Sequence, residues 1–197
     1  MEPTIKILED IETKSYSVCD GFISLSETEV LLSKIKELET QKLFKQASIG
    51  NKTEKQTNTG IRRDNIYWLE KDDESISFFS NKINALVQHL NRTFYLGIND
   101  EEFHLAHYPP GGFYKKHKDA FKSDDARKIS VILYLNKNWK KGNGGELKLY
   151  LANSEETIEP IGERLVIFES HLEHEVLESK TDRYSVTGWL KSKRLAF

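Results

Sequence analysis

One tripeptide in the chain has residue types and spacing that suit a metal site, His117-Lys118-Asp119. Residues two apart on a β-strand project from the same face, so His117 and Asp119 would point in one direction. With a distant third ligand they make a 2-His-1-carboxylate triad, which holds Fe(II) and leaves coordination positions open. Taken alone the tripeptide is weak evidence, because a surface ion pair beside the neighbouring lysines is the simpler explanation.

An arginine nine residues after His174 could bind a carboxylate. The guanidinium of Arg183 is planar and can bind a carboxylate through two parallel hydrogen bonds. A dicarboxylic 2-oxoacid that chelates iron through its keto-acid end leaves its far carboxylate for such a partner. Thr187 and Trp189 share the parity of Arg183 and would lie on the same strand face. The alternative is that Arg183 is an ordinary arginine at the edge of a sheet, which would require none of these neighbours.

A second partner for that carboxylate is predicted on the segment 128–136, which alternates as a strand does. Ile129, Val131 and Leu133 would form one face, and Tyr134 would end the other. A tyrosine among apolar neighbours is usually a core residue whose hydroxyl is satisfied. If its face lines the site, the Tyr134 hydroxyl can instead hydrogen-bond the oxoacid.

Short strands separated by glycine- and proline-rich turns fill the second half of the chain. Such a series predicts a double-sheet jelly roll or barrel, in which distant residues can meet between two sheets. The predicted strands are 103–108, 128–136, 146–151, 164–169, 173–178 and 183–190.

Two amphipathic helices are predicted before these strands, and they would cover one face of the larger sheet. The first begins with a capping box from Ser26 to Glu29, and the second begins near Asp73 or Ser75. The polar stretch 47–60 separates them and is either a disordered loop or a functional lid. A strand is predicted over the residues that follow, 61–70.

Composition indicates a single globular domain and disfavours several classes of partner. The chain has 197 residues, and its net charge of -2 comes from 29 basic and 31 acidic residues, so no overall field favours nucleic acid. Cys19 is the only cysteine, which suits a reducing compartment. Neither a signal peptide nor a long apolar run is present, so we expect a cytoplasmic monomer without a membrane anchor.

Several motifs, in order, resemble the hypoxia-inducible-factor-type prolyl hydroxylases and their bacterial relatives. The segments are YPPGGFYKKHKDAF, ILYLNKNW, GGELKLY, RLVIFESHLEHEV and RYSVTGW, preceded by GFISLSETE and IRRDNIYWLE. The resemblance covers nearly the whole chain. It implies one 2-oxoglutarate/Fe(II) oxygenase domain over residues 1–197. In that domain, residues 1–100 supply helical support and the lid loop 47–60. Residues 101–197 form a double-stranded β-helix, or jelly-roll, catalytic core.

The resemblance also implies roles for individual residues. His117, Asp119 and His174 match the iron ligands, Arg183 matches the 2-oxoglutarate clamp, and Tyr134 matches its hydroxyl partner. The residues that match the pocket lining are Tyr108, Leu147, Val176, Thr187 and Trp189. Residues 47–60 match a mobile loop that closes over the peptide.

The mouth of the site is expected to contain Arg62, Asp64 and Arg127. We expect Asp64 to reach Arg127 and tether the loop in some states; two unrelated surface charges are the alternative. His104, His107 and His171 have no role in the family pattern and are expected to be structural or exposed. The segment before His174 and the turn after Tyr108 are shorter than in the animal enzymes, which leaves the substrate open.

The implied activity is hydroxylation of a prolyl residue in a protein, with 2-oxoglutarate converted to succinate and CO2. Fe(2+) is the implied cofactor, O2 the second co-substrate and L-ascorbate a candidate reductant. The expected partner is a protein with an exposed proline, for example a translation factor. The same chemistry on a free amino acid or other small molecule is the alternative. Nucleic-acid demethylation is disfavoured because Trp189 stands where AlkB-like enzymes have a second arginine. The triad and clamp disfavour a non-enzymatic jelly-roll binding module.

Overall fold

The computed structural model describes residues 3–47, 58–71, 73–120 and 126–193. The helices are α1 (Pro3–Lys14), α2 (Leu25–Thr40) and α3 (Ser77–Phe94), with a 3₁₀ turn at Glu74–Ile76. The strands are β1 (Tyr16–Cys19), β2 (Lys45–Gln46), β3 (Asn65–Trp68), β4 (Asp100–Tyr108), β5 (Tyr114–His117), β6 (Arg127–Tyr134), β7 (Leu147–Tyr150), β8 (Glu155–Ile158), β9 (Leu165–Glu169), β10 (Glu173–Val176) and β11 (Arg183–Lys191).

The strands form two antiparallel sheets that pack face to face. The larger sheet has the order β1-β9-β6-β11-β4-β3-β2, and the smaller has the order β5-β10-β7-β8. Apolar residues from both sheets pack together between them, while the three helices pack on the outer face of the larger sheet. The predicted mainly-β jelly roll with supporting N-terminal helices is confirmed.

Strand β6 shows how alternation separates the two cores of the molecule. Ile129, Val131 and Leu133 pack against the helices, whereas Ile132 and Tyr134 face the smaller sheet. All five are buried, and each aliphatic side chain removed from water contributes about 1.5–3 kcal/mol. The predicted division of this strand into two faces is confirmed, and Tyr134 lies on the face between the sheets.

Helix α2 begins earlier than predicted. Ser24 is its N-cap and forms the capping box with Glu27, since each side chain bonds the other residue's backbone N–H. The prediction of a box from Ser26 to Glu29 was wrong, because the same three-residue spacing occurs twice. Thr28 joins Leu31, Ile35 and Leu38 on the buried face of the helix.

Of the other two helices, α3 was predicted from the sequence and α1 was not. Near Asp73, as predicted, the chain enters the 3₁₀ turn that precedes α3, and the Asp73 side chain accepts a hydrogen bond from the N–H of Ser75. Helix α1 was not predicted. It buries Ile7 and Ile11 within the helix-side core and packs Leu8 beside them, a short stripe at helical spacing that spans little more than one turn.

The segment before β3 crosses from one sheet to the other. The predicted strand 61–70 forms only over Asn65–Trp68. Before it, Arg62 forms an isolated bridge with Tyr114 of the smaller sheet, and the N–H of Arg63 donates to the carbonyl of Phe113, just before β5. This crossing brings Arg62 and Asp64 to the edge of the space between the sheets. Most of the predicted lid, 48–57, lies outside the described residues.

Candidate active site

The three predicted iron ligands converge between the sheets. His117 ends β5, Asp119 follows it, and His174 lies opposite His117 on β10. One ligand atom from each lies within 4.8 Å of the others. Asp119 Oδ1 is 3.6 Å from His117 Nε2, and Asp119 Oδ2 is 3.5 Å from His174 Nε2. This is a suitable donor set for Fe(II).

Backbone carbonyls orient both imidazoles toward this centre. His117 Nδ1 lies 2.7 Å from Lys115 O, and His174 Nδ1 lies 3.0 Å from Leu172 O. A carbonyl can only accept, so each Nδ1 carries a proton and Nε2 is the nitrogen that can bind a metal ion. Hydrogen bonds of this kind fix the tautomer and ring orientation of metal-binding histidines.

The carboxylate of Asp119 is supported from the larger sheet. Ser130 Oγ donates to Asp119 Oδ2 at 2.7 Å and lies 2.9 Å from Ser170 Oγ. Burial alone would raise the pKa of Asp119, but His174, His117 and Ser130 outweigh it and hold the pKa well below its usual range. Burial lowers the pKa of His174 to about 4, against the opposing effect of Asp119. An ionised carboxylate beside a neutral imidazole is the state that a metal ion requires.

Aromatic rings fix the two histidines from their outer sides. The Tyr114 ring stacks on His117 at a centroid distance of 3.5 Å, and Phe168 meets His174 edge-on at 4.8 Å. The guanidinium carbon of Arg62 lies 4.2 Å from the Tyr114 ring centroid. The ligands therefore have little freedom to rotate away from the centre.

Arg183 and Tyr134 form a carboxylate-binding end of the same space. Arg183 is 1% exposed, and its Nε donates to Gly145 O at 2.8 Å. Its Nη2 and the Tyr134 hydroxyl are buried without a hydrogen-bond partner among the described residues. Burial raises the pKa of Tyr134 although Arg183 opposes it, so the hydroxyl remains a donor. Burying an unpaired charge is costly, and the far carboxylate of 2-oxoglutarate fits both donors.

The predicted lining residues surround this end. Val176 pairs with Leu147 across the smaller sheet and packs with Tyr108. The Arg183 guanidinium carbon lies 4.7 Å from the Tyr108 ring centroid, and Thr187 shares the inner face of β11 with Arg183. The structure thus brings together residues that are far apart in the sequence, and their roles remain predictions.

In this structure Asp64 and Arg127 bind other residues, so a tether between them in some states remains a prediction. Both Asp64 oxygens accept from Arg62, from Nε at 2.8 Å and from Nη2 at 2.6 Å, and the Asp64 side chain is fully buried. Arg127 instead donates to Glu102 at 2.8 Å and to the Asp119 carbonyl at 3.3 Å. The pairing follows from the fold, because Arg62 and Asp64 lie on the same crossing segment.

One histidine that was expected to be structural or exposed lies near the site. His104 is 3% exposed on the inner face of β4, between Trp68 and Trp189. Its parity with Tyr108 on a predicted strand was the signal that could have placed it there. The other two histidines are as expected: His107 contacts Glu39 and Asp182 outside the site, and His171 is exposed.

The helices give no sign of a membrane span. In the described part of the chain, none is both long enough and apolar enough to cross a bilayer.

Comparison with known proteins gives consistent matches. A family model described as the 2OG-Fe(II) oxygenase superfamily matches residues 103–191. Prolyl hydroxylase EGLN3 of Homo sapiens is 30% identical over 181 residues, which cover 86% of this chain and 75% of that protein. A solved prolyl-4-hydroxylase from Pseudomonas putida has a TM-score of 0.87 and 30% identity, covering 97% of this chain and 100% of that one. A prolyl hydroxylase from Trichoplax adhaerens, solved with a hypoxia inducible factor oxygen degradation domain peptide, has a TM-score of 0.88 and 26% identity, covering 96% and 89%.

Proposed function

The chain belongs to the prolyl hydroxylase-type 2OG-Fe(II) oxygenases, and we propose that it hydroxylates a prolyl residue in a peptide or protein. As a member of this family it is an enzyme that uses Fe(2+), 2-oxoglutarate and O2. In the overall reaction, one oxygen atom of O2 enters the prolyl C–H bond and the other enters succinate, while CO2 is released. Electrons balance because 2-oxoglutarate is oxidised along with the substrate.

The observation that best supports this proposal is the pairing of two incomplete sites within one space. His117, Asp119 and His174 direct three ligand atoms at one point. In the part of the chain that the structure describes, the buried Arg183 and Tyr134 each have a donor without a partner. A metal ion completes the first site and a carboxylate completes the second. 2-Oxoglutarate has a metal-chelating end and a distant carboxylate, so it matches both.

Each group has a distinct role in this proposal. His117, Asp119 and His174 would hold the iron, which with 2-oxoglutarate and O2 supplies an oxidant able to hydroxylate an unactivated C–H bond. Ser130 keeps the Asp119 carboxylate ionised and oriented. Arg183 binds the far carboxylate and orients the co-substrate, and apolar walls of the smaller sheet exclude water.

The peptide substrate is supported by the Trichoplax adhaerens prolyl hydroxylase, which was solved with a peptide and which this chain resembles over nearly its whole length. We further propose a cytoplasmic protein with an exposed proline as the substrate, such as a translation factor. L-Ascorbate would serve as the reductant and the enzyme would act as a monomer. The single, buried Cys19 is compatible with a reducing compartment.

The proposal is tested by mass spectrometry of the proteome with and without the gene. We expect a prolyl residue to gain the mass of one oxygen atom in the wild-type strain and to lose this modification in the deletion strain. The purified iron-loaded enzyme should then restore the modification with release of succinate. Turnover of 2-oxoglutarate driven only by a free amino acid or other small molecule, with no modified proline, would contradict a peptide substrate.

A further inference from the structure

A second group of unpaired polar atoms lies on the inner face of the larger sheet, away from Arg183. Nδ1 of His104 and Nε1 of Trp189 are both buried without a hydrogen-bond partner among the described residues. His104 is 3% exposed and Trp189 is 9% exposed. Buried polar groups are usually satisfied in native proteins, so two unpaired atoms on neighbouring rings indicate a ligand position.

The register of the sheet places this group beside the candidate metal site. Trp189 lies opposite Ser130, whose hydroxyl donates to Asp119. In the adjacent cross-strand row, His104 lies between Thr187 of β11 and Trp68 of β3. The group therefore adjoins the iron ligands on the side away from the carboxylate-binding end.

Trp68 connects this group to the protein surface. Its ring centroid lies 4.9 Å from that of His104 and 6.2 Å from that of Trp189, and Trp68 is 43% exposed. The guanidinium carbon of Arg127 lies 3.5 Å from the Trp189 ring centroid and limits ring movement. The result is an aromatic wall that runs from solvent toward the metal site. We name Trp68, His104 and Trp189 the aromatic subsite.

Hydrogen-bonding capacity distinguishes the two unpaired atoms. Burial, with the nearby cations Arg62 and Arg127, lowers the pKa of His104 to about 3, although Asp119 opposes the shift. The imidazole is therefore neutral near pH 7 and has one nitrogen that accepts. The indole N–H of Trp189 can only donate. The ring centroids of these two residues are 5.5 Å apart, so a ring that can accept and a ring that can only donate are neighbours.

We propose that the aromatic subsite binds the main chain of the peptide substrate beside the target proline, with His104 as a specificity-determining residue. This inference rests on the proposed prolyl hydroxylase function. One residue of an extended peptide directs its N–H and C=O to the same side. Its N–H donates to His104, and its C=O accepts from Trp189. Apolar substrate atoms pack on the exposed ring of Trp68.

Such a subsite distinguishes a peptide from an analogue that lacks the N–H. When the donor is missing, the buried His104 nitrogen stays unpaired in the complex, and sites of this type reject the incomplete ligand strongly. An ester in place of one amide removes the N–H with little change of shape. This substitution gives a direct measure of the hydrogen bond.

The experiment uses the iron-loaded full-length enzyme and a peptide that it hydroxylates, chosen from a proline-centred library. Ester analogues of that peptide replace the amide at each residue flanking the proline in turn. For the wild type, we expect the ester at one position to lower kcat/KM about ten-fold relative to the amide peptide. His104→Met should abolish that preference, whereas His104→Gln, which retains an acceptor, should keep part of it.

The matched control is His89→Met, which changes an exposed histidine on α3 and should preserve the wild-type preference. A purely structural role for His104 would change the melting temperature without changing the ratio between amide and ester. An equal preference in the wild type and in His104→Met would overturn the inference and leave the proposed function standing. Failure of the wild type to hydroxylate any library peptide would instead overturn both.

Discussion

In the described part of the chain, the two ends of the space between the sheets both contain buried polar atoms without hydrogen-bond partners, but the groups at the two ends differ in charge. At one end, Nη2 of Arg183 and the hydroxyl of Tyr134 are buried without a hydrogen-bond partner among the residues that the structure describes. At the other, the unpaired atoms belong to His104 and Trp189, a neutral imidazole and an indole. The first end is closed, whereas the second reaches the surface through Trp68.

This difference indicates which ligand each end takes. An unpaired buried charge costs more free energy than an unpaired neutral group, so the Arg183 end requires an anion. The His104 end requires only a main-chain donor and acceptor, and its open side admits a long molecule. The candidate iron ligands lie between the ends, so one space can hold an anionic co-substrate and a neutral peptide together.

The largest effect on activity is expected from changes to the metal ligands, because the ligands bound at both ends react at the metal. Asp119→Ala should abolish 2-oxoglutarate turnover, because two histidines alone hold Fe(II) poorly. Isothermal titration with Fe(II) or Co(II) under anaerobic conditions should show the lost affinity, with an unchanged circular dichroism spectrum. The control is His89→Ala, on the exposed face of α3. Full turnover in Asp119→Ala would exclude Asp119 as a ligand.

The second-largest effect is expected on the free energy of unfolding, from a change at Asp64, which lies at neither end of the space. Breaking a buried ion pair by removing one partner costs about 3–5 kcal/mol, so Asp64→Asn should lower the free energy of unfolding by about that amount. Urea denaturation measures this change. The exposed pair Lys137–Glu29 provides the control, since Glu29→Gln should cost about 0–1 kcal/mol. A stable Asp64→Asn enzyme with a raised KM for peptide alone would restore a gating role for Asp64.

The Arg183 end should be sensitive to geometry as well as charge. Arg183→Lys keeps the positive charge but loses the planar fork, so 2-oxoglutarate binding should weaken by on the order of 1–3 kcal/mol. The KM for 2-oxoglutarate in the iron-loaded enzyme measures the loss. Arg92→Lys, an exposed change on α3, should leave that KM unaltered. An unaltered KM in Arg183→Lys would mean that another group binds the carboxylate.

Because the imidazole of His104 is neutral in the folded protein, it should affect how the free energy of unfolding depends on pH. Its folded pKa of about 3 lies below the ordinary value of 6.5, so between these values the unfolded chain binds more protons. The stability that His104 contributes is therefore present above 6.5 and is lost as the pH falls toward 3. One proton changes the free energy of unfolding by up to about 1.4 kcal/mol per pH unit.

His104→Met removes this titration and should flatten the stability profile over that window. Urea unfolding at several pH values, with a chelator in every sample, keeps metal release out of the comparison. Leu86→Met, a buried change without a titrating group, should retain the wild-type slope. Identical slopes in the wild type and His104→Met would show that His104 does not titrate differently on folding.

Much of the fold was predictable because its signals are local. Alternation of apolar residues marks β6 wherever it pairs, and the helical stripe of α3 appears in the sequence at its own period. Local signals failed where they were short or repeated. The apolar stripe of helix α1 spans little more than one turn, and two overlapping capping-box patterns occur at the start of α2, of which only one forms.

The sequence by itself determined which residue types are available for the site: the His-x-Asp pair, a third histidine, and Arg183 on a predicted inner face. Only the tertiary structure decided which groups meet. Asp64 pairs with Arg62 instead of Arg127 because the chain crosses between the sheets at that point. His104 lies beside Trp68 and Trp189 because of strand register. Side-chain parity follows from local sequence, whereas register and crossing points depend on the packing of the whole chain.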